Sequence, residues 1–484
     1  MIEKLTFKPA NEIYSKITDG THDSPKQKEK GKPLITSKHI KSRNIDFDTA
    51  YLISEEDFEN INKRSQVDKW DVIVSMIGEY CGYCYIERNN HIEYAIKNVG
   101  LYKTETKLDA EWLFYYLNSS IGKAFLNSVK SGSSQPYLTL GGLRELPILM
   151  ASSIDQQKGI TKVLSDLDAK IEVNNKINQE LEAMAKLIYD YWFVQFDFPM
   201  PKEYATSIGK PELAGKPYKA SGGKMVFNKE LKREIPEGWE DGVIADLIKN
   251  DKSGDWGKDE VQGNYTVEVS CIRGADINGI NGQGEVKAPK RFILEKNTHK
   301  ILEPFDLVVE ISGGSPTQST GRLTYVTEAT QERFDNPLIC SNFCKALTLK
   351  ESKSLFNFVF EWNRLYDAGV LFGWEGKTSG IKNLLFDNFV TNHKIPLVPI
   401  ELMNQFFDKV YSVHQKIQKN LLENQKLAEL RDWLLPMLMN GQVRVAHSLE
   451  EGNPKEAYDE IEDMVSGPDS YREAAEDGGK YGEG

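Results

Sequence analysis

The sequence predicts an α+β fold, in which two β-rich mixed globular domains alternate with two long helices as an internal pseudo-repeat. Three observations predict it. Two segments of the 484-residue chain carry apolar residues at heptad spacing, these segments match each other at one fixed offset, and short strand-like runs with turn residues precede each segment.

The first long helix is predicted from the apolar seam that begins at Ile160. Ile177 and Met184 follow a slightly shifted stripe, which predicts that the seam drifts near Asn174. A polar residue in a coiled-coil seam weakens the coil but fixes its register and partner. The seam alternates spacings of four and three before it takes up two asparagines, and it consists of Ile160, Leu164, Leu167, Ile171, Asn174, Asn178, Leu181, Ile188 and Trp192.

The second long helix repeats the first at an offset of 246 residues, asparagines included. Two unrelated amphipathic helices would not give this agreement by chance, so the chain is predicted to be an internal duplication. The matching seam residues are Ile171, Asn174, Asn178 and Leu181 in the first helix and Ile417, Asn420, Asn424 and Leu427 in the second.

The segments before the helices repeat more weakly. Lys69–Tyr80 matches Pro304–Ser315 in an aromatic residue, an aspartate, a β-branched run and a glycine, and Lys32–Ile45 resembles Val269–Ile280. Both regions show closely spaced strand and turn signals. The predicted divisions are a first globular domain at 1–150, a first helix at 151–197, a linker or hairpin at 198–234, a second globular domain at 235–399, a second helix at 400–442 and an acidic tail at 443–484.

Charge is distributed unevenly along the chain. The net charge is −12, but the tail from Ser448 onward holds 12 acidic residues against three basic ones, so the remaining body carries only about −3. Thr21–Arg43 holds seven lysines and arginines against Asp23 and Glu29. Such a local excess favours contact with phosphates, and a solvated surface loop is the alternative. The tail is predicted to be disordered or weakly helical.

The cysteines and the hydropathy pattern indicate a reducing, cytoplasmic setting. Five cysteines are an odd number and too few for a disulfide framework, so reduced thiols are expected. Cys81 and Cys84 form a C-x-x-C pair, but the pair that would complete a zinc site, Cys340 and Cys344, is spaced differently and has no nearby histidine. No run of about 18 apolar residues and no apolar signal region occurs.

Motifs for catalysis are incomplete. Gly376–Thr378 resembles a phosphate-binding loop, but Leu371 stands where the first glycine is required. Asp306 and Glu310 resemble part of a nuclease carboxylate pair, but Ser312 stands where a lysine would assist, so both are expected to be strand surface residues. The N-P-P-[FY] tetrapeptide of adenine methyltransferases is missing. The sequence therefore predicts no catalytic residue, no metal site and no cofactor in this chain.

The chain resembles the specificity subunits of type I restriction-modification systems. The resemblance covers roughly residues 1–446 and rests on the alternation of β-rich domain and long helix, together with DGTHDSP, WDVIVSMIG, SGSSQPYLTL, SSIDQQKGITKVLSDLDAKIE, REIPEGWE and DLVVEISGGSPTQSTGR. It implies that each globular domain is a target-recognition domain for double-stranded DNA, and that the long helices pair as an antiparallel coiled coil.

The resemblance also implies the partners. Two adenine-N6 methyltransferase subunits, which bind S-adenosylmethionine, are expected on the helices, and two motor-nuclease restriction subunits, which bind ATP and Mg, are expected to join them. A related methylation or phage-defence complex without a motor subunit is one alternative. A coiled-coil scaffold that does not bind DNA is another.

Base reading is expected from polar side chains on loops and strands of the two domains, because major-groove readout needs donors and acceptors such as arginine, lysine, asparagine and glutamine. The candidates in the first domain are Thr21, His22, Ser24, Lys26, Lys28, Ser37, Lys38, His39, Lys41, Arg43, Ser131, Ser133, Ser134, Gln135 and Tyr137. Those in the second are Arg273, Ser315, Thr317, Gln318, Ser319, Thr320, Arg322, Trp374, Lys377, Thr378, Ser379 and Lys382.

The length of the helices predicts their use. A helix of about 35 to 40 residues spans about 50 to 60 Å, which exceeds one turn of DNA at about 34 to 36 Å. A duplicated reader held on such helices is expected to recognise a split DNA site. Because the two domains differ in sequence, the site is expected to be asymmetric.

Overall fold

The structure is a computed structural model and describes residues 5–443 and 445 except 42, 133, 134, 316 and 379. The chain divides into a first unit, formed by residues up to Leu167 and from Leu430 onward, and a second unit, Asp168–Glu429. Most of the segment predicted as an acidic tail, 443–484, lies outside the described residues. None of the described helices is both long enough and apolar enough to cross a membrane.

The first unit mixes short strands with helices. An antiparallel sheet has the order β2-β8-β5-β6, a second sheet has the order β4-β3-β7 with β3 and β7 parallel, and β1 pairs with β9. The elements are β1 (Thr6–Pro9), β2 (Ile17–Asp19), β3 (Lys32–Thr36), β4 (Leu52–Ile53), β5 (Val72–Ser75), β6 (Cys84–Ile86), β7 (Ala95–Lys97), β8 (Val99–Tyr102), β9 (Pro147–Met150), α1 (Glu55–Ser65), α2 (Lys107–Asn118), α3 (Ser120–Ser128), α4 (Leu140–Arg144) and α5 (Ile154–Tyr189), whose first turns lie in this unit.

The second unit repeats this plan and adds two hairpins. Its sheets have the orders β13-β20-β16-β18, β15-β14-β19 with β14 and β19 parallel, β17-β22-β21, β10-β11 and β12-β23. The elements are α6 (Lys202–Ser207), β10 (Met225–Asn228), β11 (Arg233–Pro236), β12 (Glu240–Val243), β13 (Ile248–Ser253), β14 (Tyr265–Ile272), α7 (Ile277–Ile280), β15 (Lys290–Leu294), β16 (Leu307–Glu310), β17 (Ser312–Gly313), β18 (Leu323–Tyr325), α8 (Glu328–Gln331), β19 (Leu338–Cys340), β20 (Cys344–Leu349), α9 (Leu355–Asp367), β21 (Glu375–Thr378), β22 (Ile381–Leu384), α10 (Phe386–Asn392), β23 (Lys394–Leu397) and α11 (Ile400–Met439).

The duplication predicted from the sequence is visible in the sheets. In strand order β2-β8-β5-β6 corresponds to β13-β20-β16-β18, and the mixed sheet β4-β3-β7 corresponds to β15-β14-β19. Each unit thus holds the mixed helices and sheets of an α+β fold, as the sequence predicts. Gly20 and Gly254 occupy corresponding turns where a Cβ atom would lie 2.3 Å from the Ile96 carbonyl oxygen and 2.0 Å from that of Ser341, so both turns require glycine.

The aromatic-Asp pair before the central strand is the most closely repeated local motif. Trp70 and Phe305 both adopt positive φ angles, 75° and 73°, which non-glycine residues rarely do. Asp306, the aspartate that follows Phe305, is buried and contacts Lys252 Nζ at 3.1 Å. The expectation that Asp306 and Glu310 lie on the strand surface is wrong, because both carboxylates are buried and paired with cations inside the unit.

The two long helices run antiparallel within the second unit. Asn174 Nδ2 donates to Asn424 Oδ1 at 2.9 Å, and Asn420 Nδ2 donates to Asn178 Oδ1 at 2.8 Å. Asn424 is the repeat of Asn178, and Asn420 is the repeat of Asn174. The two asparagine pairs are therefore related by a local pseudo-twofold axis. Lys170 adds an ion pair to Glu423 at 3.3 Å, where both side chains are partly exposed.

The helix ends and the seam differ in detail from the prediction. The first helix was expected over 151–197, but α5 spans Ile154–Tyr189 and continues as a π-helical turn, Asp190–Val194. Ile177 and Met184 do not enter the seam near Asn174, because they are 39% and 46% exposed. In the first unit, apolar residues from both ends of the chain share one core, among them Ile160, Leu164, Leu435, Leu438 and Met439.

The segment expected to be a linker or hairpin is folded into the second unit. Phe198 stacks on Tyr218 and on Trp239 at centroid distances of 4.8 and 5.4 Å, and the strands β10 and β11 form a hairpin. Proline, glycine and lysine in this segment predicted a linker or hairpin, and burial of its aromatic side chains fixes it against the second unit.

All five cysteines are buried free thiols, in agreement with the sequence. Burial raises the pKa of Cys84 and of Cys344 to about 12, so both thiols are protonated at neutral pH. Within the described residues, no three His, Cys, Asp or Glu side chains are grouped so that they would hold a metal ion.

Candidate nucleic-acid interface

Three segments meet beside β5, and two of them were expected to contribute to the first interface. Ile77 pairs with Tyr137 across a bridge, and the Gly78 amide donates to the Pro136 carbonyl at 3.0 Å. Ser37 Oγ accepts hydrogen bonds from the Met76 and Ile77 amides at 3.1 and 3.2 Å. The turn after β5, the residues Ser131, Pro136 and Tyr137, and the turn after β3 therefore lie together, although they are far apart in sequence.

Two first-domain candidates are structural. Ser37 is 3% exposed and also donates to the Asn98 carbonyl at 2.7 Å, while His39 is fully buried and its Nδ1 accepts from the Thr36 amide at 2.9 Å. Burial lowers the pKa of His39, with Lys38 adding to the effect. Ser37 and His39 thus hold the turn together, and we withdraw them as base contacts.

The other first-domain candidates are at least partly accessible. His22 is held between Asp19 Oδ2 and Asn98 Oδ1, both at 2.9 Å, and Lys97 Nζ contacts Ser24 Oγ. Arg43 lies over the Phe114 ring at 5.1 Å. Ser133 and Ser134 lie outside the described residues. The exposed or half-buried candidates are Thr21, His22, Ser24, Lys26, Lys28, Lys38, Lys41, Arg43, Ser131, Gln135 and Tyr137.

Aromatic side chains on this surface were missed from the sequence. Lys41 Nζ lies 4.0 Å from the centroid of the Tyr80 ring, which packs edge-to-face against Tyr83. Tyr83 and Ile77 are 42% and 38% exposed. The tyrosines in GEYCGYC were the signal that could have identified them. The candidates had been chosen as hydrogen-bond donors and acceptors, whereas aromatic rings contact bases and sugars by stacking or apolar packing.

In the second unit, the two clusters expected to contribute are brought together. The loop after β17 and the hairpin β21–β22 meet at Glu375, whose Oε1 accepts from the Thr320 amide at 2.8 Å and whose Oε2 lies 3.3 Å from Lys382 Nζ. Ser312 and Gly313 join the same small sheet by pairing with β22. One carboxylate therefore links segments that the sequence separates by more than 50 residues.

Two arginines assigned to base reading are engaged inside the protein. Arg322 makes a bidentate contact with Glu310 at 2.7 and 2.8 Å, and this pair raises the pKa of the guanidinium. Arg273 makes the same kind of contact with Asp276 at 2.8 and 2.9 Å. Arg322 is 17% exposed, so breaking its buried pair would cost more than a surface contact returns. Arg322 is therefore excluded as a base contact, whereas Arg273, which is 33% exposed, is oriented by Asp276 and stays a candidate.

Ser319, Thr320 and Trp374 also have structural roles. Ser319 and Thr320 are 4% and 2% exposed and bond to Glu375, and the half-buried Trp374 packs against Phe389. Ser379 and the side chains of Lys377 and Thr378 lie outside the described residues. The second-unit candidates that remain accessible are Arg273, Ser315, Thr317, Gln318 and Lys382.

The accessible candidates of the second unit are again flanked by apolar side chains that the sequence analysis passed over. Lys382 Nζ lies 5.1 Å from the Phe372 ring centroid, and Phe372 and Ile381 are 48% and 45% exposed. Each unit therefore presents a lysine beside an aromatic ring, together with amide or hydroxyl side chains. This combination suits contact with phosphates and base edges.

Comparison with known proteins gave consistent similarities. Residues 8–183 match the family model described as the type I restriction modification DNA specificity domain. The type I restriction enzyme MjaIX specificity subunit of Methanocaldococcus jannaschii is 24% identical over 69% of this chain and 69% of its own length. The HindI specificity subunit of Haemophilus influenzae is 26% identical over 69% of this chain and 77% of its own.

A solved structure, the type I restriction-modification S subunit from M. genitalium, covers 90% of this chain and 96% of its own, with 15% identity and a TM-score of 0.48. The family model and the two relatives agree with the resemblance found in the sequence motifs.

Proposed function

We propose that this chain is a type I restriction-modification specificity subunit, the non-catalytic subunit that selects a bipartite, asymmetric site in double-stranded DNA for adenine-N6 methylation. Methyltransferase subunits would supply S-adenosylmethionine chemistry, and motor-nuclease subunits would add ATP-dependent restriction. A complex that lacks the motor subunit stays the alternative.

The observation that carries the proposal is the repetition of one scaffold with different side chains at its surface. The turn after β5 presents Tyr80 and Tyr83, whereas the loop after β17 presents Thr317 and Gln318. One backbone plan with two sets of contacts supports two different half-sites. The helix pair would set the distance between them, because the 36 residues of α5 span about 54 Å.

Methyltransferase docking is supported by an apolar stripe on the open face of the helices. The side chains on α5 recur at helical spacing, with Ile177, Met184 and Leu187 exposed by 39%, 46% and 66%. The repeat position of Leu187 is Trp433 on α11, which is 60% exposed. Large apolar side chains left exposed at equivalent positions of both repeats favour two equivalent partner subunits.

Replacing Leu187 with serine should weaken binding of the methyltransferase about 10-fold or more, because a fully buried leucine contributes about 1.5 to 3 kcal/mol. The side chain is mostly exposed in the free chain, so its thermal stability should not change. Titration calorimetry with purified methyltransferase measures the effect, and the control is Gln179→Ser, at an exposed position of the same helix that lies off the stripe. Equal affinities of the two variants would remove Leu187 from the docking surface.

The proposed function is tested by methylome sequencing of cells that express this chain with its methyltransferase. We expect methylated adenines in a split, asymmetric sequence, and we expect the purified chain alone to transfer no methyl groups. Deleting residues 448–484 should leave the sequence unchanged, because the tail lies beyond the repeats. Methyl transfer by the pure chain that disappears on mutation of one of its own residues would overturn the non-catalytic assignment.

A further inference from the structure

We propose that Glu375 is a positioning residue that fixes the loop segment Thr317–Thr320 and thereby determines which bases the second unit selects. This inference rests on the proposed function and assigns a role to a residue that contacts no DNA itself. Glu375 opens β21, and its side chain is 9% exposed.

The first carboxylate oxygen of Glu375 organises the end of the loop. It accepts from the Thr320 amide at 2.8 Å, from Thr320 Oγ1 at 3.2 Å and from Ser319 Oγ at 3.2 Å. Burial alone raises the pKa of Glu375, but these hydrogen bonds and Lys382 outweigh it, and the net shift is downward. The carboxylate is therefore charged at neutral pH, and charged acceptors make the stronger hydrogen bonds.

The second carboxylate oxygen ties the loop to the hairpin. Lys382 Nζ lies 3.3 Å from Glu375 Oε2 and 3.4 Å from the Gln318 carbonyl oxygen. Glu375 and Lys382 thus hold both the loop and β22 in one arrangement. A shift of either segment breaks contacts to the other.

Neighbouring aromatic residues complete the base of the loop. Tyr366 donates its hydroxyl to the Ser319 carbonyl at 3.0 Å, and Trp362 Nε1 donates to the Gly321 carbonyl at 2.7 Å. Thr317 and Gln318, at the tip, are exposed. Side chains that select bases must be held by such a supporting shell, because small displacements destroy hydrogen-bond geometry.

The test uses the full chain, assembled with its methyltransferase, as Glu375→Ala, Glu375→Gln and wild type. Methylation rates are compared on duplexes with single base changes in each half-site, and Gln318→Ala identifies the half-site read by the second unit. Glu332→Ala, at an exposed carboxylate of the same unit, is the control.

Glu375→Ala should reduce discrimination in the second half-site about 10-fold, in line with the loss of one well-placed base contact, and leave the first half-site unchanged. Glu375→Gln keeps an acceptor for the Thr320 amide and loses the charge, so it should fall between alanine and wild type. Where the alanine variant fails to fold, Glu375→Gln and Ser319→Ala, which removes a buried hydroxyl bonded to Glu375, carry the test, and both should relax the second half-site alone.

Undiminished discrimination in the second half-site, or an equal loss in both half-sites, would overturn the role of Glu375. If Glu375→Gln lost as much discrimination in the second half-site as Glu375→Ala, Glu375 would not act by anchoring the Thr320 amide. Failure of the proposed function would look different, because the wild-type assembly would then show no base discrimination in either half-site.

Discussion

Replacing Asn174 with aspartate should destabilise the second unit by about 3 kcal/mol, because it places a second carboxylate in a buried position against Glu423, which already pairs with Lys170. Asn174 is 1% exposed and its Nδ2 donates to Asn424 Oδ1 and, at 2.7 Å, to Glu423 Oε2. Aspartate has no hydrogen to donate when ionised, so three acceptors would face one another. Urea denaturation followed by circular dichroism measures the loss.

The neighbouring residue provides the control. Asn175 is exposed and its Oδ1 accepts from Asn424 Nδ2 at 2.8 Å, a bond that aspartate also accepts. Asn175→Asp should therefore change stability by less than about 0.5 kcal/mol. The Asn174→Asp defect should shrink as the pH falls and the buried carboxyl becomes protonated, since burial raises its pKa. If Asn174→Asp and Asn175→Asp lowered the free energy of unfolding equally, burial of Asn174 would not be the cause of its effect.

Inserting one heptad after Ile177 and another after Glu423 should lengthen the spacer of the recognised sequence and leave both half-sites unaltered. Both insertion points fall between the layers Asn174–Asn424 and Asn178–Asn420, so inserts that keep apolar residues in the seam preserve both layers. Seven residues add about 10 Å, which corresponds to about 3 base pairs at 3.4 Å each. Methylome sequencing of cells with the lengthened subunit and its methyltransferase measures the spacer.

The rotation of one half-site relative to the other about the DNA axis decides which length of insert is tolerated. About 3 base pairs turn one half-site by roughly 100° about the DNA axis at 10 to 10.5 base pairs per turn. Three heptads at each point add about 31 Å, about 9 base pairs at 3.4 Å each, and nearly restore the rotational phase. The longer insert should therefore be the more active. Unchanged spacing with full activity in either variant would show that the helix pair does not set the distance.

The repeated scaffold could be predicted from the sequence because it depends on local patterns. The offset of 246 residues identified Asn174 with Asn420 and Asn178 with Asn424, and heptad spacing predicted their seam. The exposure of Ile177 and Met184 was not predicted. The helical period of 3.6 residues departs from a strict heptad, so the side of the seam on which a shifted stripe falls depends on the partner helix.

The interface was harder to predict from the sequence because it depends on contacts between residues that are far apart in the chain. Arg322 has the residue type of a base reader, but its partner Glu310 lies on the adjacent strand and removes it from the surface. Glu375 has no feature in the sequence that marks it as an anchor, since its partners Ser319 and Thr320 are more than 50 residues away. Residue type predicts the available chemistry, whereas burial decides which side chains present it.

The exchange of asparagine partners between the repeats bears on how such a chain diversifies. Asn174 pairs with Asn424 and Asn178 pairs with Asn420. Because Asn424 is the repeat of Asn178 and Asn420 is the repeat of Asn174, the asparagines of either helix can pair with those of the other helix or with those of a second copy of the same helix. Recombination that replaces one globular domain, or that duplicates one half of the gene, keeps the asparagine-to-asparagine pairs. If the proposed function holds, new combinations of half-sites can therefore arise by exchange of whole domains without substitution of these four asparagines.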